Sequence, residues 1–244
     1  KHKTWTLKEG VVKINGYNPQ PGDVKFKDLR PDGVINAGDN TVDNPGDRKI
    51  IGNDAARYQF GISLGASYKG WSLEVLLQGV GKRDYWLGGP AMFPFGGAGA
   101  GDAVFQALYA NQTDYWRAKS YDPSSSDYMV PVNPDSKLFR IYDQGNNVGS
   151  NTRVSDKYLQ NAAYMRIKNI TLAYTLPKEW VRRAFIQDAK FYLSIENLAT
   201  FSSLPKGYDP EGTAPSSTAN ALSNGISWGY PYYRTISLGA SITF

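Results

Sequence analysis

The sequence predicts an all-β fold: the C-terminal strands, about five, of a large antiparallel transmembrane β-barrel with long extracellular loops. Three observations predict it. Five segments alternate apolar and polar residues with a period of two, the pattern of strands with one face in an apolar medium. The segments run to about 12–14 residues, against roughly 5–6 in soluble sheets, and a tilted strand needs about 9–11 in the bilayer. Short and long connections also alternate along the 244-residue chain, as periplasmic turns and extracellular loops do in an outer-membrane barrel.

Residues 1–55 are expected to form an extracellular loop region. Within it, "DLRPDGVINAGD" has the outline of a calcium loop. Counting from Asp28, positions 1, 5, 9 and 12 are Asp28, Asp32, Asn36 and Asp39, with Gly33 at the turn and the Val34 carbonyl as a further ligand. However, Arg30 stands where a ligand oxygen belongs, Pro31 stiffens the loop, and Asp39 is shorter than the usual closing Glu. A loop ordered by its own Asx turns is therefore favoured over a calcium site.

Residues 56–84 predict a barrel hairpin. Tyr58, Phe60, Ile62, Leu64, Ala66 and Tyr68 share one face of its first strand. After the tight turn at Lys69–Gly70, Trp71, Leu73, Val75 and Leu77 share one face of the second, with Leu76 as the exception. Residues 85–160 form a long extracellular loop, in which "DAVFQALYANQTDYW" places Val104, Leu108 and Tyr115 near helical spacing and predicts a short helix. Aromatics crowd this loop: Tyr85, Trp86, Phe93, Phe95, Tyr109, Tyr115, Trp116, Tyr121 and Tyr128. Most are expected to pack the loop against itself or against a protein that covers it. Trp86, Tyr115 and Trp116 are the candidates for substrate contact, because aromatic faces stack on sugar rings and grip peptide side chains.

Residues 161–200 predict a second hairpin, joined by the short link "PKEWVRRAFIQ". Its first strand slips: Ile170, Leu172, Tyr174 and Leu176 share a face, while Met165 and Ile167 have the opposite parity. A bulge near Lys168–Asn169, or a change from membrane to loop environment, would reconcile them. Its second strand alternates from Ala189 through Phe191, Leu193 and Ile195 to Ala199. Residues 201–230 form another extracellular loop. Asp209 and Glu211 in its "GYDPEG" are two carboxylates without a partner histidine, so no catalytic role is assigned. Residues 231–244 form the final strand, with Ile236, Leu238, Ala240, Ile242 and Phe244 facing lipid. Leu238, Ile242 and Phe244 are the residues assigned to membrane contact and assembly. Glu74, Gln78, Lys82, Arg166, Lys190 and Glu196 point to a wet lumen, and Arg234 is the exception on the lipid parity.

Composition limits the alternatives. The 17 Tyr, 10 Phe and 6 Trp coexist with 25 Gly and 14 Pro and a mean hydropathy of −0.45, which suits strands separated by polar loops. The net charge of +5 is scattered rather than clustered, so no nucleic-acid partner is expected. Cysteine is absent, which excludes disulfides and thiol chemistry, and the sole histidine, His2, stands at the start of the chain, which argues against a His-based triad or zinc site. No enzyme activity is assigned.

In order along the chain, "PGDVKFKDLRPDGVINAGD", "DRKIIGN" and "RYQFGISLGASYKGWSLEVLLQGVGKRD" resemble the approach to the closing strands of SusC/RagA-type TonB-dependent transporters. "AAYMRIKNITLAYTLPKEW", "AKFYLSIENLATFSSLPKGYDPE" and "YPYYRTISLGASITF" are similar to the closing segments themselves, and an aromatic end after an alternating strand resembles the signal for barrel insertion. The resemblance covers about 21–84 and 161–244. It implies a barrel in the outer membrane of Gram-negative bacteria, filled by an N-terminal plug supplied by other polypeptide. It further implies TonB-powered import of oligosaccharides or peptides and a SusD-like surface lipoprotein as lid. Five strands fall short of the roughly eight that close a membrane barrel, so the chain is expected to be part of something larger. Two alternatives remain open: a self-contained or oligomeric outer-membrane pore, and a secreted carbohydrate-binding β-sandwich.

Overall fold

The computed structural model describes residues 12–14, 18–86, 93, 110–141, 151–212 and 232–244. The described strands are β1 (Lys13–Ile14), β2 (Val34–Ile35), β3 (Arg57–Tyr68), β4 (Trp71–Lys82), β5 (Asp84–Trp86), β6 (Leu159–Asn161), β7 (Tyr164–Thr175), β8 (Asp188–Ser202) and β9 (Thr235–Thr243). One helical turn, α1 (Lys178–Val181), lies between β7 and β8. No helix among the described residues is long and apolar enough to cross a membrane, which says nothing of strands. The chain divides into two compact units. A sheet body comprises Gly52–Tyr85, Leu159–Pro215 and Ser227–Phe244; a loop body comprises Lys1–Ile51, Trp86–Tyr158 and Ser216–Ile226.

The sheet body is an antiparallel meander in the order β3-β4-β7-β8-β9. β3 turns into β4 through Lys69 and Gly70 alone, at φ 44° and 87°. Two left-handed residues match the twist of the flanking strands, and a Cβ on Gly70 would lie 2.8 Å from the Thr175 carbonyl. A strand of 12 residues rises about 40 Å, which at the tilt of a barrel wall spans the roughly 30 Å hydrocarbon layer.

The register gathers the apolar residues of all five strands on one face. One row reads Leu64, Val75, Ile170, Ile195, Ile236; the next reads Ala66, Leu73, Leu172, Leu193, Leu238. A row of Tyr68, Trp71, Tyr174 and Phe191 borders it at the hairpin end. Phe60, Gly79, Met165 and Phe201 align toward the other end. These side chains are left in the open: Leu64 is 55% exposed, Ile236 64% and Leu238 83%. A soluble monomer rarely exposes so wide an apolar patch.

The slip in β7 has the expected cause. Leu76 pairs with Asn169 and Leu77 with Ile167, so Lys168 is an extra residue against β4. Against β8 it faces two, Asn197 and Leu198, with Asn197 at φ 52°. The bulge returns Met165 and Ile167 to the apolar face. The predicted polar residues Glu74, Gln78, Arg166, Lys190 and Glu196 occupy the reverse face with Ser63, Thr171, Ser194 and Ser237. Leu76 shares that polar face, between Ser63 and Asn169.

The loop body has little regular structure and a small aromatic core. Phe93 is fully buried against Phe139, Tyr158 and Trp86, with ring centroids 5.7, 4.8 and 5.9 Å away. Val24 and Leu138 complete the cluster. Buried Asn151 accepts the Val24 N–H at 2.7 Å and donates to Asp23 at 3.0 Å, tying distant parts of the chain together. The helix predicted over "DAVFQALYANQTDYW" falls outside the described residues except for a single 3-10 turn, Ala110–Gln112. Phe95 and Tyr109 lie outside them as well.

Candidate functional site

Polar side chains converge where the polar face of β7 meets the loop after β8. Arg166 is 2% exposed. Its Nη2 donates to Asp209 Oδ1 at 2.7 Å, its Nε donates to Thr200 Oγ1 at 2.8 Å, and its Nη1 lies 3.1 Å from Glu211 Oε2 without hydrogen-bond alignment. Lys168, the bulged residue, donates from Nζ to the same Glu211 oxygen at 2.8 Å. A bulge re-aims a side chain, and here it sets a second cation beside the first. The Tyr232 ring faces both cations, 5.2 Å from the Arg166 guanidinium and 4.5 Å from Lys168 Nζ.

Asp209 organises its own segment. Its Oδ1 accepts the Glu211 N–H at 2.9 Å, and its Oδ2 accepts the Tyr232 N–H at 3.1 Å. The Gly212 N–H donates to the Asp209 carbonyl at 3.1 Å and closes the turn. Burial pushes the Asp209 carboxyl up, but the two backbone donors and the Arg166 guanidinium outweigh it and hold the group below the usual carboxylate range. Arg83 adds a second anchor: its Nε donates to the Asp54 carbonyl at 2.9 Å and its Nη1 to the Pro210 carbonyl at 3.5 Å. Two cations and two carboxylates, mostly shielded from water, form a neutral cluster. Such a cluster clamps the Asp209–Glu211 turn onto the sheet.

The sequence singled out Arg166, Asp209 and Glu211 but not their union. Sequence separation of 43 residues hides the contact. The available signal was charge: a cation on a polar strand face needs a carboxylate, and the next loop carried two.

In the calcium-like loop, the acidic side chains serve the backbone. Asp28 Oδ1 accepts the Arg30 N–H at 3.1 Å and its Oδ2 the Gly33 N–H at 3.0 Å. Asp32 accepts the Val34 N–H at 2.9 Å, and Asn36 the Gly38 N–H at 2.7 Å. The bonds to Arg30, Val34 and Gly38, each two residues on, are Asx turns. Asp39 accepts from the Asn44 amide at 2.6 Å. The centre of the loop is a residue outside the proposed ligand set, Asp47, whose carboxylate accepts the N–H groups of Leu29, Arg30 and Asn36. Its slight burial raises the carboxyl, and these donors bring it below its ordinary value. Among the described residues, no three His, Cys, Asp or Glu side chains form a cluster suited to a metal.

The loop aromatics separate. Trp116 is buried, its ring lying where a Cβ on Gly22 would meet it at 2.5 Å. Trp86 and Tyr115 pack on the edge of the Phe93 cluster and keep part of their surface open. Leu238 and Ile242 lie on the exposed apolar face and Phe244 follows β9, 79% exposed. Arg234 donates from Nη2 to the Leu198 carbonyl at 2.7 Å.

No family model matches the chain. It is 26% identical over 241 residues to TonB-dependent receptor P3 of Formosa agariphila, and 24% identical over 244 residues to TonB-dependent receptor P26 of the same organism. The alignments cover 97% and 99% of the chain but 20% and 22% of those proteins, so the chain spans about a fifth of their length. In structure it is similar to a solved RagAB peptide transporter, with a TM-score of 0.50 and 24% identity over 76% of this chain and 17% of that one. The chain thus resembles the TonB-dependent transporters of the SusC/RagA type: in sequence it is similar to TonB-dependent receptors over nearly its whole length, and in fold to part of the RagAB transporter.

Proposed function

We propose that the chain is a wall segment, with its loops, of an outer-membrane TonB-dependent importer of the SusC/RagA type. The observation that carries this is the unbroken apolar face across five strands, kept in phase by the bulge at Lys168. The likeness to TonB-dependent receptors supports it. The apolar face meets lipid, the polar face lines the lumen, and strands from further polypeptide pair with β3 and β9, since unpaired backbone groups in hydrocarbon cost several kcal/mol each. The hairpin at Lys69–Gly70 and the link 177–188 lie on the periplasmic side; regions 1–55, 85–160 and 201–230 are extracellular.

On this reading, a plug and a TonB-contacting segment belong to the rest of the protein, a SusD-like lipoprotein covers the mouth, and the cargo is an oligosaccharide or peptide. Trp86 and Tyr115, still partly open, are available to cargo, while Trp116 supports the loop body. The Arg166–Asp209 cluster fixes the loop after β8 against the lumen wall so that it does not sweep the channel.

Single cysteines test the facing in the intact protein reconstituted in liposomes. Leu238→Cys is expected to resist a water-soluble maleimide and Ser237→Cys to react with it. Equal labelling of both would end the reading.

A further inference from the structure

We propose that the β7–β8 connection, with the β3–β4 hairpin beside it, is a docking surface for anionic phospholipid headgroups. This rests on the membrane-wall reading above. The connection is held in one shape. Pro177, at φ −57°, opens α1, a 3-10 turn over Arg182–Ala184 follows, and Val181 is 4% exposed. The Leu176 N–H donates to the Ala189 carbonyl at 2.9 Å, and the Gln187 N–H to the Thr243 carbonyl at 2.8 Å, so both ends are tied to the sheet.

Within this fixed frame, Trp180 is 63% and Phe185 93% exposed. Phe185 also sits at φ 58°, a left-handed conformation that costs a bulky residue energy. Packing within the described residues accounts for neither ring. Lys178, Arg182 and Arg183 belong to the same connection, with Lys69 on the adjoining hairpin. None of the four is in an ion pair among the described residues. Against Glu179 and Asp188 they leave a net charge of +2 (four cations, two anions).

The position of this cluster identifies its occupant. The Thr175 N–H donates to the Gly70 carbonyl at 2.8 Å, and the Trp71 and Tyr174 rings lie 4.7 Å apart, so hairpin and connection share one end of the sheet. Toward that end the apolar face passes from aliphatic rows to the row of Tyr68, Trp71, Tyr174 and Phe191. Exposed aromatics set among unpaired cations come next. Hydrocarbon, interface and phosphate succeed one another in that order across a leaflet. A soluble acidic partner would use the cations but gives no reason for the graded rings.

The test uses the intact protein that carries this chain, in nanodiscs of mixed phosphatidylglycerol and phosphatidylethanolamine, with the retained lipid counted by native mass spectrometry. Phosphatidylglycerol should be enriched. Combining Lys178→Gln, Arg182→Gln and Arg183→Gln should weaken its retention about fivefold per cation, about a hundredfold in all. The control Lys25→Gln, Lys27→Gln, Lys119→Gln, in the loop body, should change nothing. Equal retention by the wild type and the first variant overturns the proposal, as does an equal loss in the control or a preference for acidic peptides over lipid. A spin label on Leu238→Cys separates the two layers of inference. Lipid contact there without headgroup preference removes only this proposal, whereas water contact removes the membrane reading as well.

Discussion

The two faces of the five-stranded sheet are made from alternate residues of the same strands, yet they are held by different forces. The apolar face has no internal lock: Leu64, Ile195 and Leu238 touch neighbours in rows and otherwise wait for a medium. The polar face carries a cluster of ion pairs, Arg166–Lys168–Asp209–Glu211. One face depends on a solvent of lipid, the other on specific partners. Substitutions on the first should therefore be graded by chemistry and depth, and those on the second by which partner is orphaned.

The largest effect is expected at the cluster. Arg166→Met leaves Asp209 and Glu211 facing each other with Lys168 alone between them. Breaking a buried pair from one side costs about 3–5 kcal/mol. In hydrogen exchange on the intact protein, the amides of Glu211 and Tyr232, both held by Asp209, should lose protection by about two to four orders of magnitude. Unchanged exchange would mean the turn is held by Arg83 and Pro210 rather than by charge.

The contrast between faces sharpens with a matched pair one residue apart. Leu64→Arg places a cation in the middle row of the apolar face, at a cost of about 2–4 kcal/mol near the bilayer midplane. Ser63→Arg places the same side chain on the wet face. Urea titration of the protein folded into liposomes should lower the midpoint for the first and scarcely move it for the second. Similar shifts would show that both faces see one environment.

How much of this was legible follows from how far each signal travels along the chain. Alternation is local, so the facing of β3, β4, β8 and β9 could be read from neighbouring residues. Even the bulge announced itself, because Met165 and Ile167 broke phase with Ile170 within one strand. The cluster could not be read in this way. Arg166 and Asp209 meet because a loop folds back, and the path of a loop is set by turns such as Asp209–Gly212 whose direction the sequence does not encode locally. The calcium-like loop shows the same limit. Its outline pointed to Asp28, Asp32, Asn36 and Asp39, while the backbone donors of Leu29, Arg30 and Asn36 converge on Asp47, eight residues past the motif.

The smallest effect concerns the charge of Asp209 and separates its two jobs, pairing with Arg166 and ordering the backbone. Its folded pKa lies below the ordinary value, so its stabilisation is complete above the unfolded pKa of about 3.9 and is lost only as pH falls through the lower folded value. Between pH 7 and 5, protection at Glu211 and Tyr232 should owe no change to this group. Asp209→Asn keeps an oxygen for the N–H donors but removes the charge, while Glu211 still faces Arg166. It should cost about 1.5–3 kcal/mol, the worth of a hydrogen bond to a charged group, and less than Arg166→Met. Below pH 4 the wild type should converge on the variant, because protonation performs the same neutralisation. If the gap between them instead closed near neutral pH, the carboxylate would be held by burial rather than by its donors, and the polar face would owe its order to shape more than to charge.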